Sequence, residues 1–297
     1  MKKIVGLGAC VYDTLINCDQ YPIEDTKYKS NGVFVSGGGP VGNALVVMKK
    51  LGIDAVVSGL FANDDAGKYL IEDFKKYGVD VSGAKLLDGK TTFKSYIVLS
   101  EKTKTRTCVF DRGDVPDNPE LLDFSVLEGA SIVHLDGNYL NCANKISSIA
   151  KEKGVKVSLD AGGLYPNIET LLPKVDILIP SAEFALGITG KTDIPSAILE
   201  LNARYSPEVL VVTDGSNGGY YFEDGKVYHY DGVKVDAVDT NGAGDTFHGA
   251  FLVAYCDGKS IKECCEYASV VAGYKVTHKG ARTYPLSREI IDGLINA

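Results

Sequence analysis

A polar and glycine-rich run, Asp239-Thr240-Asn241-Gly242-Ala243-Gly244-Asp245, gives way to apolar residues at Phe247, Ala250, Phe251 and Ala254. That spacing is one face of a helix. A glycine turn therefore opens a helix, with a carboxylate at or beside its first turn. Gly242 and Gly244 can take backbone angles closed to other residues and expose their N–H groups in one direction. Successive N–H groups of this kind form a nest for an anion, and the helix N-terminus adds about half a unit of positive charge. A carboxylate beside bound phosphate can take the proton from a hydroxyl as it attacks phosphorus. Asp245 is either that base or a plain helix cap complementing the dipole. The segment alone leaves both open.

Other phosphate motifs are excluded by their spacing. Gly89-Lys90-Thr91, Gly190-Lys191-Thr192 and Gly258-Lys259-Ser260 each resemble the end of a P-loop, but the required earlier glycines are Ala84, Ala185 and Val253. The run Gly37-Gly38-Gly39-Pro40-Val41-Gly42 matches GxGxxG, follows strand-like residues 33–36 and opens a helix. With Asp64 downstream to meet a ribose, it is a rival dinucleotide-binding unit and would make the chain a nicotinamide-dependent oxidoreductase. Against it, the preceding strand belongs to a β-only stretch rather than to a βαβ unit. The near-match at 6–11 lacks its third glycine and leads into no helix.

Along the chain, strands and helices alternate. Residues 4–8, 55–60, 131–135, 155–159, 175–179 and 209–213 read as buried strands, with helices between most of them. Asn63 is the candidate cap for the helix carrying Ala66, Tyr69, Leu70, Phe74 and Tyr77. Repeated β–α units predict an α/β fold: a doubly wound, mostly parallel sheet covered by helices on both faces. Two stretches, about 14–35 and 91–112, are β-rich without a following helix and predict a small separate sheet.

The chain has 297 residues, enough for one large α/β domain with an excursion. A net charge of −8 leaves no basic surface for nucleic acid or an anionic membrane. Seven scattered cysteines form no CxxC pair and no zinc spacing, which reads as reduced thiols in a cytoplasm. The opening Met1-Lys2-Lys3-Ile4-Val5 resembles a signal peptide, but Gly6, Gly8 and Asp13 interrupt it and favour a first strand. No segment approaches the ~20 apolar residues of a membrane span.

Open α/β sheets bind ligands at the carboxyl ends of their strands. Asp13 and Asp136 both follow core strands there, although each taken alone reads more readily as a turn aspartate. Thr213-Asp214-Gly215-Ser216-Asn217-Gly218-Gly219 is either a hairpin turn or a glycine ledge against a nucleotide. Arg112 either holds an anionic substrate group or pairs with Asp111. The four histidines show no metal-binding spacing and favour ordinary structural or surface roles.

The order of these features resembles the ribokinase-like (PfkB-type) family of sugar kinases over nearly the whole chain. The resemblance rests on Gly8-x-x-x-x-Asp13, on Gly38-Gly39 leading to Asn43, and most specifically on 239–245. It implies a β-sheet lid over a sugar and reassigns the GxGxxG loop from a dinucleotide to that sugar. Asp245 would be the catalytic base, and Gly242, Ala243 and Gly244 the anion hole. Asp13, Gly38, Gly39 and Asn43 would bind sugar, with Asp136 and Arg112 as further candidates. Thr213, Gly215, Ser216 and Gly218 would carry ATP, with Ala268 and Ala272 at an adenine slot. Glu183 would help organise Mg²⁺, although the asparagine of the family's Asn-x-x-Glu motif is here Pro180. Asp239, Asn241 and Gly280 would lie beside a K⁺ site built from backbone oxygens. Pro40 stands where ribokinases in the narrow sense carry lysine, so the resemblance leaves the acceptor open, phosphosugars, sulfosugars and nucleosides included. A homodimer through the exposed lid strands is the partner expectation.

Overall fold

Ile4 and Val5, adjacent on the first strand, face different hydrophobic clusters on opposite sides of one sheet. That alternation requires helices on both faces. The computed structural model describes residues 2–103 and 105–296. In chain order, β1 (Lys3–Leu7) leads into β2 (Val11–Cys18), β3 (Gly32–Gly38), α1 (Pro40–Lys50), β4 (Asp54–Ala62), α2 (Asp65–Lys76) and β5 (Asp80–Leu87). The hairpin of β6 (Lys94–Ser100) and β7 (Thr105–Asp111) precedes β8 (Ala130–Leu135), α3 (Leu140–Glu152), β9 (Lys156–Ala161) and β10 (Ile177–Pro180). Then follow α4 (Ala182–Thr189), α5 (Ile194–Tyr205), β11 (Val209–Thr213), β12 (Gly219–Glu223) and β13 (Lys226–Tyr230). The chain ends with α6 (Ala243–Cys256), α7 (Ile261–Val276) and α8 (Arg288–Ile295).

Among the described residues the large sheet has the order β13-β12-β11-β10-β9-β8-β1-β4-β5, and its antiparallel pairings are β11–β12 and β12–β13, at one edge. The chain winds outward from β1 in both directions, so the crevice at the carboxyl end of β1 is a topological switch point. The β-only stretches form a second sheet, β3-β2-β6-β7, as the sequence predicts. β2 pairs in parallel with β6, so the two insertions are interlocked.

The structure departs from the sequence reading in local places. Asp64, not Asn63, caps α2 by accepting from the Gly67 N–H at 2.8 Å, while Asn63 donates to Asp88. β5 is an edge strand with mostly exposed or half-buried residues, so no apolar run announces it. The helix α6 is buried all round from 246 to 254, because α1 and α7 pack on either side of it. The dinucleotide unit is not formed. β3 belongs to the small sheet, and the carboxylate of Asp64 serves a helix cap and Thr92.

Candidate active site

Asp245 lies in the first turn of α6, after a cap formed by Gly242 at φ 77°. A Cβ on Gly242 would come 2.8 Å from the Cβ of Ala281, so positive φ and close approach both require glycine there. Gly244 differs, with nothing within 4 Å of where its Cβ would lie. The Ala243 N–H reaches back to the Thr240 carbonyl at 3.3 Å, whereas that of Gly244 has no backbone acceptor among the described residues. An open, positively polarised helix end therefore adjoins the carboxylate. Burial pushes the Asp245 pKa up, opposed by a hydrogen bond from Asn43 Nδ2 to its Oδ2 at 2.6 Å.

Asn43 sits in α1, which Pro40 enters at its first turn after Gly39 at φ 89°. Its Oδ1 accepts from Arg282 Nε at 2.8 Å. Arg282, only 1% exposed, also donates to Gly38 O at 2.8 Å and pairs with Asp73 at 2.7 Å, over the Phe74 ring. Cβ atoms on Gly37 or Gly42 would strike its guanidinium, which explains two glycines of the loop. On the other side of the loop, Asp13 is buried and accepts from Ser95 Oγ at 2.6 Å. Burial raises its pKa from 3.8 to about 6. Its carboxylate packs against the Cα of Gly38, where a side chain would collide with it.

Asp136 requires a correction. Its Oδ2 accepts from the Ala9 N–H at 2.7 Å and more loosely from that of Val41 at 3.5 Å, and its Oδ1 accepts from the Asn138 N–H at 3.0 Å. Both oxygens are bonded to backbone, so Asp136 braces the crevice walls. Arg112 is exposed, donates to Asn138 and lies over the rings of Phe93 and Tyr165, rather than pairing with Asp111.

A groove of about 440 Å³ runs along the large sheet's edge to the anion nest. This size lies within the range of small-molecule sites. It brings together Thr213, Gly215, Ser216, Gly218 and Ala272 with Ala243 and Gly244. Ala268 is outside it and fully buried in the core, because its side of α7 faces α6; Ser269, Gly273 and Val276 form the wall instead. Residues 232–235 and Phe247 also line the groove. Their stretch carries neither a glycine motif nor a clear period. Glu183 is exposed in the first turn of α4, which the bridge between Ser181 and Thr213 holds beside the groove. No cluster of three potential metal ligands occurs among the described residues. A divalent ion would take phosphate oxygens among its ligands, with Glu183 the carboxylate that the resemblance offers beside the groove.

Of the backbone oxygens expected beside K⁺, that of Asp239 is already occupied. Asp239 accepts through Oδ1 from the Asn241 N–H at 2.9 Å and through Oδ2 from the Gly280 N–H at 2.8 Å. Its carbonyl oxygen accepts from Lys275 Nζ at 2.6 Å. An ammonium group already holds one of the oxygens expected to face the cation.

Sequence reasoning missed Arg282, Lys275, Ser95, Arg106 and Asp160. Lys275 had a signal: it continues the apolar stripe of Cys264, Ala268 and Val271 on α7. Arg106 lies on β7 opposite Leu99, in the alternating set with Cys108 and Phe110 whose β6 partners Ile97 and Ser95 pair with Leu15 and Asp13. Its charge acts on both Asp13 and Asp245. Asp160, at the end of β9, is buried, and burial followed by the charges of Asp245 and Asp136 raises its pKa well above the usual range.

A family model described as pfkB family carbohydrate kinase matches residues 1–288. The chain belongs to that family. Its members are phosphotransferases that act on an alcohol group. Similar pfkB relatives include an ATP-dependent ribose-1-phosphate kinase of Halopiger xanaduensis, 25% identical over 288 residues, covering 96% of this chain and 95% of that one. A Haemophilus influenzae ribokinase is 26% identical and covers 100% of this chain and 99% of its own length. The structure of Arabidopsis thaliana ribokinase complexed with ribose and ATP aligns with a TM-score of 0.86 at 25% identity, covering 100% and 99% of the two chains. No helix among the described residues is long and apolar enough to cross a membrane.

Proposed function

We propose that this pfkB member transfers the γ-phosphoryl group of ATP to a hydroxyl of a sugar or sugar derivative. One observation carries the reading. The nucleotide-sized groove ends at Ala243 and Gly244, and the next residue is a carboxylate oriented by Asn43 from the glycine loop. ATP would lie from Thr213 to Gly244, its base against Ala272 and Gly273. The N–H groups of the nest would stabilise charge on the migrating phosphoryl group. Asp13, Gly39 and Asn43 would hold the sugar, and Asp245 would accept the proton of its attacking hydroxyl. Mg²⁺ bound to the phosphates would supply further charge neutralisation, with Glu183 as a supporting carboxylate. Closure of the lid would exclude water from the phosphoryl group.

A second reading, an anionic sugar substituent, is favoured by Arg106 on the lid face that carries Asp13. A phosphosugar or sulfosugar would answer that charge, as the name of the Halopiger relative also suggests. The exposed apolar residues Val33, Phe34, Val35, Val109 and Phe110 on the lid's edge strands support a homodimer there. The free cysteines suit a reducing cytoplasm. An ADP-release screen over free aldoses, ketoses, polyols, nucleosides and phosphorylated or sulfonated sugars tests the assignment. Turnover confined to anionic sugars selects the second reading. Retention of NAD(H) with no ADP release from any acceptor defeats the kinase proposal.

A further inference from the structure

Lys275 is a buried charge without a part in the phosphoryl transfer described above. It lies in the last turn of α7 and its side chain is 0% exposed. Its ammonium donates to the Asp239 carbonyl oxygen at 2.6 Å and lies 3.8 Å from Asp239 Oδ2. Desolvating an ammonium group is unfavourable unless the site compensates it. A helix C-terminus attracts cations, but an exposed lysine meets that need by reaching the last carbonyls from solvent. Here the Val276 carbonyl is instead taken by the N–H groups of Val238 and Asp239 at 2.7 and 3.0 Å. The ammonium passes the helix end and binds the loop itself.

That loop leads directly into the nest. Asp239 is joined to Asn241 on one side and to Gly280 on the other, and Gly242 packs on Ala281. The loop before the anion hole and the loop after α7 therefore meet at one aspartate, with Lys275 beneath it. An ammonium group and a potassium ion have similar size and the same charge, and both bind carbonyl oxygens. The lysine makes by hydrogen bonding the contact that a bound ion would make by coordination.

We propose that the Lys275 ammonium is a covalently tethered substitute for a monovalent cation, holding the 239–244 loop in its anion-binding shape whatever ions are in solution. It is a positioning residue, and the proposal rests on the phosphotransfer reading. Burial lowers its pKa while the charges of Asp239 and Asp245 raise it, so the field of this ammonium reaches the proposed base.

The test exchanges K⁺ for Na⁺ or choline at constant ionic strength. The wild-type enzyme is expected to keep its turnover within about twofold across the three, far below the effect of losing an anion-hole donor. Lys275→Ala is expected to lose about tenfold or more in kcat and to recover saturably with K⁺ or NH₄⁺. Lys275→Arg, which keeps the charge, should remain independent of added cation. A thermal-melting comparison needs no turnover: K⁺ should raise the Tm of Lys275→Ala relative to choline and leave wild type unchanged. Strong K⁺ activation or K⁺ stabilisation of wild type would overturn the proposal, even if the alanine variant fails to fold. So would a folded, impaired alanine variant that no monovalent cation rescues. If no acceptor turns over at all, the phosphotransfer reading fails, and the melting comparison still decides the role of the lysine.

Discussion

Asn43 donates to Asp245 Oδ2 at 2.6 Å while its own Oδ1 accepts from Arg282 at 2.8 Å. An arginine can only donate, so the amide oxygen must face it and the amide NH₂ must face the carboxylate. One buried cation thereby orients the proposed base through a single side chain. Asp245→Asn removes proton acceptance and keeps the shape. Turnover should fall by about 10²–10⁴, the usual contribution of a general base. Nucleotide affinity, measured by calorimetry, should change little. Equal loss of binding and turnover would make Asp245 a structural residue.

The same hydrogen bond governs the pH profile. Ionised Asp245 is the acting form, burial raises its pKa, and the Asn43 amide lowers it. Activity should therefore rise with pH across a step displaced above the ordinary carboxylate range. Asn43→Ala removes the lowering contribution, so the acid limb of log kcat should move to higher pH. A limb that stays in place would dissociate Asn43 from the proton acceptor.

Arg282 ties the glycine loop, α2 and the segment after α7 together through Gly38, Asp73 and Asn43. Removing one member of a buried charged pair leaves the other unpaired, at about 3–5 kcal/mol. Arg282→Met should lose stability on that scale in urea titration. Arg282→Lys should recover only part of it, because an ammonium cannot span three acceptors with the same fork. A small loss for methionine would mean that Asp73 finds solvent or another partner.

Much of this architecture was legible because it rests on local rules. The strand alternation, the glycine turn before Phe247 and the β-only stretches each declare themselves within about 15 residues, the scale on which periodicity operates. The helix start that sets Asp245 beside glycine N–H groups needed only that local context, while its role as base came with the resemblance. Arg282 and Asn43 lie 239 positions apart in the chain, and nothing local links them. Asp136 shows the complementary case: its place at a strand end was legible, but its partners, the N–H groups of Ala9 after β1 and of Val41 in the first turn of α1, are distant in sequence. Ala268 and Ala272 are both small residues on α7, and only tertiary packing shows which faces the groove.

Asp13 links pH to stability. Its pKa is raised from 3.8 to about 6 in the fold, chiefly by burial. Between those values the folded protein binds more protons than the unfolded chain, so this residue's contribution to stability falls as pH rises through about 6. The displacement corresponds to about 3 kcal/mol favouring the protonated form. Asp13→Asn should therefore raise the urea midpoint at neutral pH, have little effect near pH 4, and abolish sugar binding. An unchanged difference between the two pH values would show that folding does not shift the titration of Asp13.

Gly242 and Gly244 stand two residues apart and should respond oppositely to the same methyl group. At Gly242 a Cβ would meet Ala281, and its φ of 77° strains any other residue, so Gly242→Ala should destabilise the fold. At Gly244 the Cβ enters open space and the backbone is not left-handed. Alanine in a helix is favoured over glycine by about 0.5–1 kcal/mol, so Gly244→Ala should melt no lower than wild type. If phosphoryl oxygens approach that N–H, the methyl group stands in their way. Turnover should then drop by about tenfold or more, on the scale of a lost oxyanion contact. Full activity in a stable Gly244→Ala protein would remove this amide from the anion-binding site.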